Sequence, residues 1–175
     1  MEILTKLNAK TVSFDSIGGI PDLTAHDVCS ALSGADEGGL RLLLSKILGV
    51  RQFEAIYRHF YPMAIALAKK DHWKLTARSV ERISRLLELS IYEYTSTNVC
   101  PSCNGTKYSM IDKTKLCGFC RGSGRFTYPD RAKAEFLGVK GSSYSRTWRP
   151  RADKIVIMLG DSEYLAKKHI RRRLV

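Results

Sequence analysis

Four cysteines in the second half of the chain are spaced as two C-x-x-C pairs. Cys100 and Cys103 form the first pair, and Cys117 and Cys120 form the second, with 13 residues between the pairs. A C-x-x-C turn brings two thiolates to one point, and a second turn completes the tetrahedron that Zn²⁺ prefers. The spacing therefore predicts a site in which all four cysteines bind one zinc ion.

The composition around the cysteines indicates a structural metal. A catalytic zinc keeps an open coordination position near a general base. Four cysteines close the site, and residues 96–128 contain no Glu or His. Since so short a segment cannot build its own core, we expect the metal to fold it. The alternatives are a redox C-x-x-C and a disulfide pair, and both fit poorly with two matched pairs in a reducing cytoplasm.

Glycines follow both cysteine pairs. Gly105 comes after the first pair, and Gly122 and Gly124 come after the second. Glycine lets the chain turn tightly around a metal. We expect backbone amides in these turns to point at the sulfur atoms.

Positive charge is concentrated in the same half of the chain. Residues 1–95 contain 12 Lys+Arg and 11 Asp+Glu, a net charge of +1, whereas residues 96–175 contain 17 and 6, a net charge of +11. One Zn²⁺ with four thiolates would lower the second value to about +9. The asymmetry predicts a polyanionic partner for the second half. A solubility tail is the alternative, but aromatic residues are interleaved with the charges, namely Tyr128, Tyr144 and Trp148.

Residues 130–148 have the pattern of a helix-turn-helix. A helix with Ala134 on its inner face should end at Gly138, and a second helix should begin at Ser142 or Ser143. A small residue and a glycine four positions apart are the spacing of the DNA-binding motif, and Val139 can bury between the helices. An ordinary packed pair of helices is the alternative.

The second helix of such a motif enters the major groove with its N-terminal residues. Arg146 can contact guanine through two hydrogen bonds. Lys140, Arg149 and Arg151 suit phosphate neutralisation. The complete set predicted to contact DNA is Lys140, Ser142, Ser143, Tyr144, Arg146, Arg149 and Arg151.

Apolar spacing predicts helices through the rest of the chain. They should cover about 24–33, where Cys29 is expected in the core, then 36–48, 52–67 with a kink or split at Pro62, and 76–94 with Thr76 as its N-cap. The last of these has an apolar face and an opposite face with Arg78, Arg82 and Arg85. Near the end of the chain, Gly160 should break a helix and Ser162 should cap the final one, with its basic run 167–173.

The order of these parts resembles the late-gene antitermination proteins of lambdoid bacteriophages, the lambda-type Q family. The matching parts are Cys100–Gly105, Cys117–Gly124 and the segment Tyr144-Ser145-Arg146-Thr147-Trp148-Arg149-Pro150, with weaker similarity around Phe14-Asp15-Ser16 and Asp27-Val28. Lys107 stands where the family pattern has a final glycine, and the region before the first cysteine pair is shorter.

The resemblance implies a mainly α fold, a helical bundle whose helix-turn-helix is interrupted by a small zinc-knuckle insert with four cysteine ligands. The expected parts are an irregular arm at 1–22, a helical body at 23–95, the zinc insert at 96–128, and the remaining helix-turn-helix with a basic C-terminal helix at 129–175. The 76–95 helix would be the first helix of the interrupted motif.

The resemblance also implies a function. Such proteins bind double-stranded DNA near a phage late promoter, load onto paused host RNA polymerase, and make it read through terminators. They act in the cytoplasm of the bacterial host, with no membrane and no small-molecule substrate, and they are not enzymes. The four histidines agree with that expectation because they are scattered, at His26, His59, His72 and His169.

Two other classes of protein share part of the pattern. An RNA-binding zinc ribbon would need stacking aromatic residues, for which Tyr108, Phe119, Phe126 and Tyr128 are candidates. A zinc module like that of the forty-kilodalton heat-shock co-chaperones would carry four such repeats and a His-Pro-Asp motif, whereas this chain has two repeats and no such motif.

Overall fold

A computed structural model describes residues 25–48, 52–96, 99–125 and 127–174. Within these ranges the chain is mainly helical and contains no extended strand, as predicted. The expected arm at 1–22, the start of the first helix at Thr24, and Phe126 lie outside the described residues. The helices are α1 Ala25–Leu32, α2 Glu37–Leu48, α3 Phe53–Lys70, α4 Ala77–Thr95, α5 Asp130–Phe136, α6 Gly141–Ser143 and α7 Arg149–Leu174, with a π-helical turn at Tyr144–Trp148.

Local sequence signals set several helix boundaries. The Thr76 side chain accepts a hydrogen bond from the Ser79 N–H at 3.3 Å, and the Ser79 hydroxyl accepts one from the Thr76 N–H at 2.7 Å. This reciprocal capping satisfies amides that a helix start otherwise leaves unpaired. Gly34 and Gly138 follow α1 and α5 with positive φ angles of 77° and 64°. The predicted cap and both predicted helix ends are therefore confirmed.

Pro62 does not split α3. The helix runs from Phe53 to Lys70 with Pro62 inside it. Proline removes one helical N–H, which leaves the carbonyl four residues earlier, that of Arg58, without its partner. Both residues are exposed, so water can bind that carbonyl. The apolar pattern on the buried face therefore continues through the proline.

The core lies where α3, α4 and α7 pack together, and a smaller cluster joins α1 and α2 to the end of α7. Ile56 and Phe60 from α3 meet Ile83 and Leu87 from α4, and all four are fully buried. The smaller cluster consists of Ala31, Leu43, Ala166 and Ile170. Since α7 contributes to both clusters, it connects the two ends of the bundle.

α7 is a single helix of 26 residues, about 39 Å long. The predicted break at Gly160 and the predicted cap at Ser162 are therefore wrong. A Cβ at Gly160 would lie 3.7 Å from the Tyr94 hydroxyl, so this glycine lies at a helix–helix contact. Ser162 is buried and donates a hydrogen bond to Asp36 at the start of α2. Tertiary contacts outweigh the local breaking signals.

Glu163 is a buried carboxylate at the junction of α2, α4 and α7. It accepts hydrogen bonds from Lys46 at 2.6 Å, from the Tyr94 hydroxyl at 2.6 Å, and from Lys167. Burial opposes ionisation, but these donors lower the pKa of Glu163 to about 2. The Lys46 ammonium also lies 3.6 Å from the centre of the Tyr94 ring. A charged network therefore fixes the relative positions of the three helices.

Cys29 is exposed, so the expectation that it lies in the core is wrong: the helix turns this position outward.

No helix among the described residues combines the length and the apolar character needed to cross a membrane.

Candidate metal centre and nucleic-acid surface

The four cysteines of the two pairs converge on one point. Their sulfur atoms all lie within 4.8 Å of one another, with Cys100 and Cys117 at 3.9 Å and Cys103 and Cys120 at 3.6 Å. Tetrahedral zinc with Zn–S bonds of about 2.3 Å separates its sulfur ligands by about 3.8 Å. A disulfide needs about 2.05 Å, and none is formed. The residues therefore fit a four-coordinate metal ion.

The two knuckles hold each other by equivalent hydrogen bonds. The Cys100 N–H donates to the Gly124 carbonyl at 3.0 Å, and the Cys117 N–H donates to the Lys107 carbonyl at 2.9 Å. Short antiparallel bridges pair Val99 with Arg125 and Tyr108 with Leu116. Each knuckle therefore anchors the start of the other, and the insert has an approximate internal twofold symmetry.

The backbone repeats from one knuckle to the next, even where the sequence does not. Glycine adopts positive φ without steric cost, whereas other residues do so at a cost. Lys107 nevertheless has the conformation of Gly124, so a lysine at this position does not change the path of the chain. The matched φ angles are 46° and 50° for Asn104 and Arg121, 81° for both Gly105 and Gly122, and 74° and 73° for Lys107 and Gly124.

We expect Lys107→Gly to strengthen metal binding. Relief of the left-handed strain should stabilise the folded insert by about 1 kcal/mol, after allowance for the greater freedom of glycine in the unfolded chain. That corresponds to a gain of about fivefold in metal affinity, measured by competition with a chromophoric chelator. Lys113→Gly is the matched control because Lys113 has an ordinary negative φ. Equal affinities for the two variants would contradict the strain at Lys107.

Backbone amides surround the sulfur atoms, as predicted. The Gly124 N–H lies 3.3 Å from the Cys120 sulfur. Hydrogen bonding by the Cys120 backbone lowers the pKa of Cys117 to about 6. Burial opposes ionisation of Cys120, but the Gly124 N–H and its other donors lower its pKa overall. Burial raises the pKa of Cys100 to about 11. A bound cation would offset the cost of holding these thiolates together.

Glu93, near the end of α4, ties the insert to the bundle. Its carboxylate accepts hydrogen bonds from the Tyr128 N–H at 3.1 Å and from Lys133 at 2.7 Å. The Tyr128 ring also contacts Tyr92, with ring centres 6.3 Å apart. The chain therefore leaves α4, forms the metal centre, and returns to α5 beside the point where it left.

The segment after the metal centre forms two short helices around a tight turn. Ala134 and Leu137 are buried, and the Val139 N–H closes the turn by donating to the Ala134 carbonyl at 2.9 Å. Val139 packs against the main core. The second helix begins at Gly141, one or two residues before the predicted start at Ser142 or Ser143, and continues through the π-helical turn into α7.

Five of the seven residues predicted to contact DNA are exposed. They lie on α6, next to it, on the following π-helical turn, or at the start of α7, where Arg149 also pairs with Asp130 at 3.2 Å. Lys140, Ser142 and Ser143 precede or form the first turn of the second helix, which is where base-contacting residues lie in a helix-turn-helix. The exposed set is Lys140, Ser142, Ser143, Arg146 and Arg149.

Tyr144 and Arg151 make contacts within the bundle. The burial of Tyr144 contradicts its predicted DNA contact, whereas Arg151 is half-buried and its predicted DNA contact stays a prediction. Tyr144 is 1% exposed within the main core, and burial raises its pKa to about 12. The Arg151 guanidinium lies between Trp73 and Trp148, 4.9 and 4.7 Å from their ring centres. Such cation–π contacts orient the guanidinium toward the aromatic rings. Tyr144 therefore anchors the π-helical turn in the core, and Arg151 joins α7 to Trp73.

The arginine face of α4 makes contacts that were not predicted from the sequence. Arg82 donates a hydrogen bond to the Gly138 carbonyl at 3.3 Å, and Arg85 donates one to the Phe136 carbonyl at 3.4 Å. These bonds bring the face beside the turn that precedes α6. The spacing of Arg78, Arg82 and Arg85 on one helix face was the available sequence signal.

No protein-family model matches this chain, and no curated protein matches it at a significant level. The structure and site define a mainly helical protein with a four-cysteine centre that could hold a metal ion.

Proposed function

We propose that this protein is a zinc-dependent, DNA-binding transcription factor of the antitermination type. The observation that carries the proposal is the exposed start of α6, with Lys140, Ser142 and Ser143, in a chain that also contains a four-cysteine centre. The net charge of +11 over residues 96–175 supports a nucleic-acid partner. In this proposal the protein recognises and positions other molecules and catalyses no reaction.

The metal in this proposal is one structural Zn²⁺. Four thiolates in tetrahedral geometry favour Zn²⁺ over Mg²⁺ or Ca²⁺, which prefer oxygen ligands. Cys100, Cys103, Cys117 and Cys120 would hold it, and no ligand position remains for a substrate. The ion would fold the insert and so fix the entry of the chain into α5.

The DNA-contacting unit would consist of α4, α5 and α6. α6 would present Ser142 and Ser143 to the major groove, while Lys140 and Arg149 neutralise phosphates. Arg146, which is exposed on the next turn, would contact a base edge. In this arrangement the metal insert is a loop between the first and second helices of the motif.

The antitermination role is supported by the motifs that resemble the lambda-type Q family. The protein would bind double-stranded DNA near a late promoter, join paused host RNA polymerase, and travel with it through terminators in the bacterial cytoplasm. The test is run-off transcription past a terminator with host polymerase and the phage's own late-promoter template. Readthrough that needs both the upstream DNA and zinc is expected. Zinc-dependent DNA binding without readthrough would leave a DNA-binding regulator and remove the antitermination role.

Arg146→Ala should reduce binding to the specific DNA site by about 1–3 kcal/mol, or roughly 5- to 150-fold, if Arg146 contacts a base. Titration of specific and scrambled duplexes at one salt concentration measures the effect. Arg131→Ala is the matched control because Arg131 is also exposed but lies on α5. Equal weakening on both duplexes would show that Arg146 contacts only phosphate.

RNA binding by the metal insert is a second candidate function. Tyr108 and Phe119 are 47% and 58% exposed on the insert, where bases could stack on them. Competition between duplex DNA and single-stranded RNA of equal length distinguishes the two functions. Preferential displacement by RNA, lost in Tyr108→Ala, would favour the RNA-binding function.

A further inference from the structure

A basic cleft lies between α4 and the turn that joins α5 to α6. Its volume is about 370 Å³, and its walls come from two parts of the chain more than 50 residues apart in sequence. One wall is the charged face of α4, and the other is the end of α5. The lining residues are Arg78, Glu81, Arg82, Arg85, Leu137 and Gly138.

Two of the arginines in the cleft are held in place by main-chain carbonyls. Arg82 donates to the Gly138 carbonyl at 3.3 Å, and Arg85 donates to the Phe136 carbonyl at 3.4 Å and to Glu81 at 2.7 Å. A guanidinium has five N–H donors in a fixed plane. Each arginine therefore keeps donors available while its orientation is already restricted, which lowers the entropic cost of binding an anion.

The charge of the cleft favours an anion. Three guanidiniums face one carboxylate, Glu81, which Arg85 already pairs with. Arg78 is exposed and makes no ion pair or hydrogen bond within the described part of the chain. Lys140 lies two residues after Gly138 and is also exposed. Guanidinium groups bind phosphate through paired, charge-assisted hydrogen bonds.

We propose that this cleft binds a phosphodiester group of the DNA backbone and thereby sets how α6 enters the groove. The inference rests on the proposed DNA-binding function and adds a contact on the first helix of the motif. Arg78 and Arg82 supply the main contacts. The cleft adjoins the turn before α6, so a phosphate held there lies next to the groove that α6 enters. Because a phosphate carries no sequence information, the contact contributes equally on every duplex.

The test measures the salt dependence of DNA binding for Arg78→Ala and Arg82→Ala. Each variant should lose about tenfold in affinity on specific and scrambled duplexes alike. Each should also reduce the slope of log K against log salt by about one, because one fewer counterion is released. Arg58→Ala is the matched control: it removes the same charge from an exposed ion pair on α3 that lies outside the cleft.

Further measurements distinguish failure of the phosphate cleft from misfolding and from failure of the proposed DNA-binding function. Arg82→Ala also removes a hydrogen bond to the turn, so its circular dichroism and metal content must match those of the native protein. Within the described residues Arg78 makes no hydrogen bond to the turn, so Arg78→Ala tests the cleft without that complication. Glu81→Gln should increase affinity on both duplexes. If the native protein binds no duplex, the proposed function fails. If it binds, and both cleft variants behave like Arg58→Ala or lose affinity only on the specific duplex, the phosphate cleft is overturned.

Discussion

A Cys100→Ser variant is expected to lose its bound metal and the fold of residues 99–125 with it. Cys100 is fully buried, and a serine hydroxyl does not replace a thiolate as a zinc ligand. The buried cluster of the insert consists of the cysteines themselves, so a bound metal would take the place of a hydrophobic core. Structural zinc contributes on the order of 10 kcal/mol to such folds, far more than the few hydrogen bonds between the knuckles.

Loss of the insert should also abolish specific DNA binding. The chain between α4 and α5 would become an unfolded loop, and the contacts of Tyr128 with α4 would lose their anchor. Metal content by mass spectrometry, protease cleavage within 99–125, and duplex titration measure the three consequences. Removal of the metal from the native protein by a chelator should reproduce them.

Cys29→Ser is the control for the cysteine experiment. Cys29 is exposed on α1 and lies outside the four-sulfur cluster, so its replacement should leave metal content and DNA binding unchanged. A Cys100→Ser protein that keeps one metal ion per chain and binds DNA normally would contradict a structural role for the metal. Loss of metal with normal DNA binding would separate the insert from the DNA-contacting unit.

The metal centre could be predicted from sequence because its chemistry is local. Two C-x-x-C turns place four sulfur atoms within reach of one ion whatever surrounds them. The cap at Thr76 and the helix ends near Gly34 and Gly138 were predictable for the same reason, since each depends on residues a few positions apart. The strained conformation of Lys107 could not be predicted, because lysine gives no signal for a positive φ.

The wrong predictions concern residues whose surroundings come from distant parts of the chain. Tyr144 has a type and a position suited to DNA, but its side chain is buried in the core. Apolar periodicity specifies a face of a helix, but it does not specify what covers that face. Cys29 shows the opposite error: its position in the apolar pattern predicted burial, but its side chain is exposed.

Gly160 and Ser162 illustrate the same limit in a helix boundary. Glycine and a capping residue indicate a break when they are considered alone. In α7 they lie at close helix contacts: Gly160 faces Tyr94, and Ser162 faces the start of α2. A Cβ at Gly160 would meet the Tyr94 hydroxyl at an ordinary contact distance of 3.7 Å, and Ser162 donates a hydrogen bond across its helix contact. The sequence alone cannot distinguish this packing role from a terminating role.

Gly39→Ala should therefore destabilise the protein strongly. A Cβ at Gly39 would overlap the Ser162 carbonyl oxygen, lie 2.6 Å from the Ser162 carbonyl carbon, and reach 3.0 Å from the Ala166 Cβ. The first two atoms belong to the backbone of α7, so no side-chain rotation relieves the overlap. Overpacking of this kind costs about 3 kcal/mol, and the better helix propensity of alanine returns about 1 kcal/mol. We expect a net loss of about 2 kcal/mol in the free energy of unfolding.

Movement of α2 away from α7 would not avoid this cost. The Gly39 N–H donates to the Asp36 carboxylate at 2.7 Å, and the same carboxylate accepts from Ser162. Separation would also stretch the 2.6 Å pair between Lys46 and Glu163 and open the cluster around Ala166. Loss of one partner of a buried carboxylate destabilises the folded protein. The overlap at Gly39 and the separation of α2 from α7 are therefore both unfavourable.

Denaturant unfolding followed by far-ultraviolet circular dichroism measures the effect of Gly39→Ala. Gly141→Ala is the matched control, because a Cβ there meets nothing within 4 Å and Gly141 also lies in a helix. The control should be as stable as the native protein or slightly more so. Equal stability of the two variants would mean that α2 and α7 do not pack through Gly39. Helix packing would then not explain why α7 continues through Gly160 and Ser162.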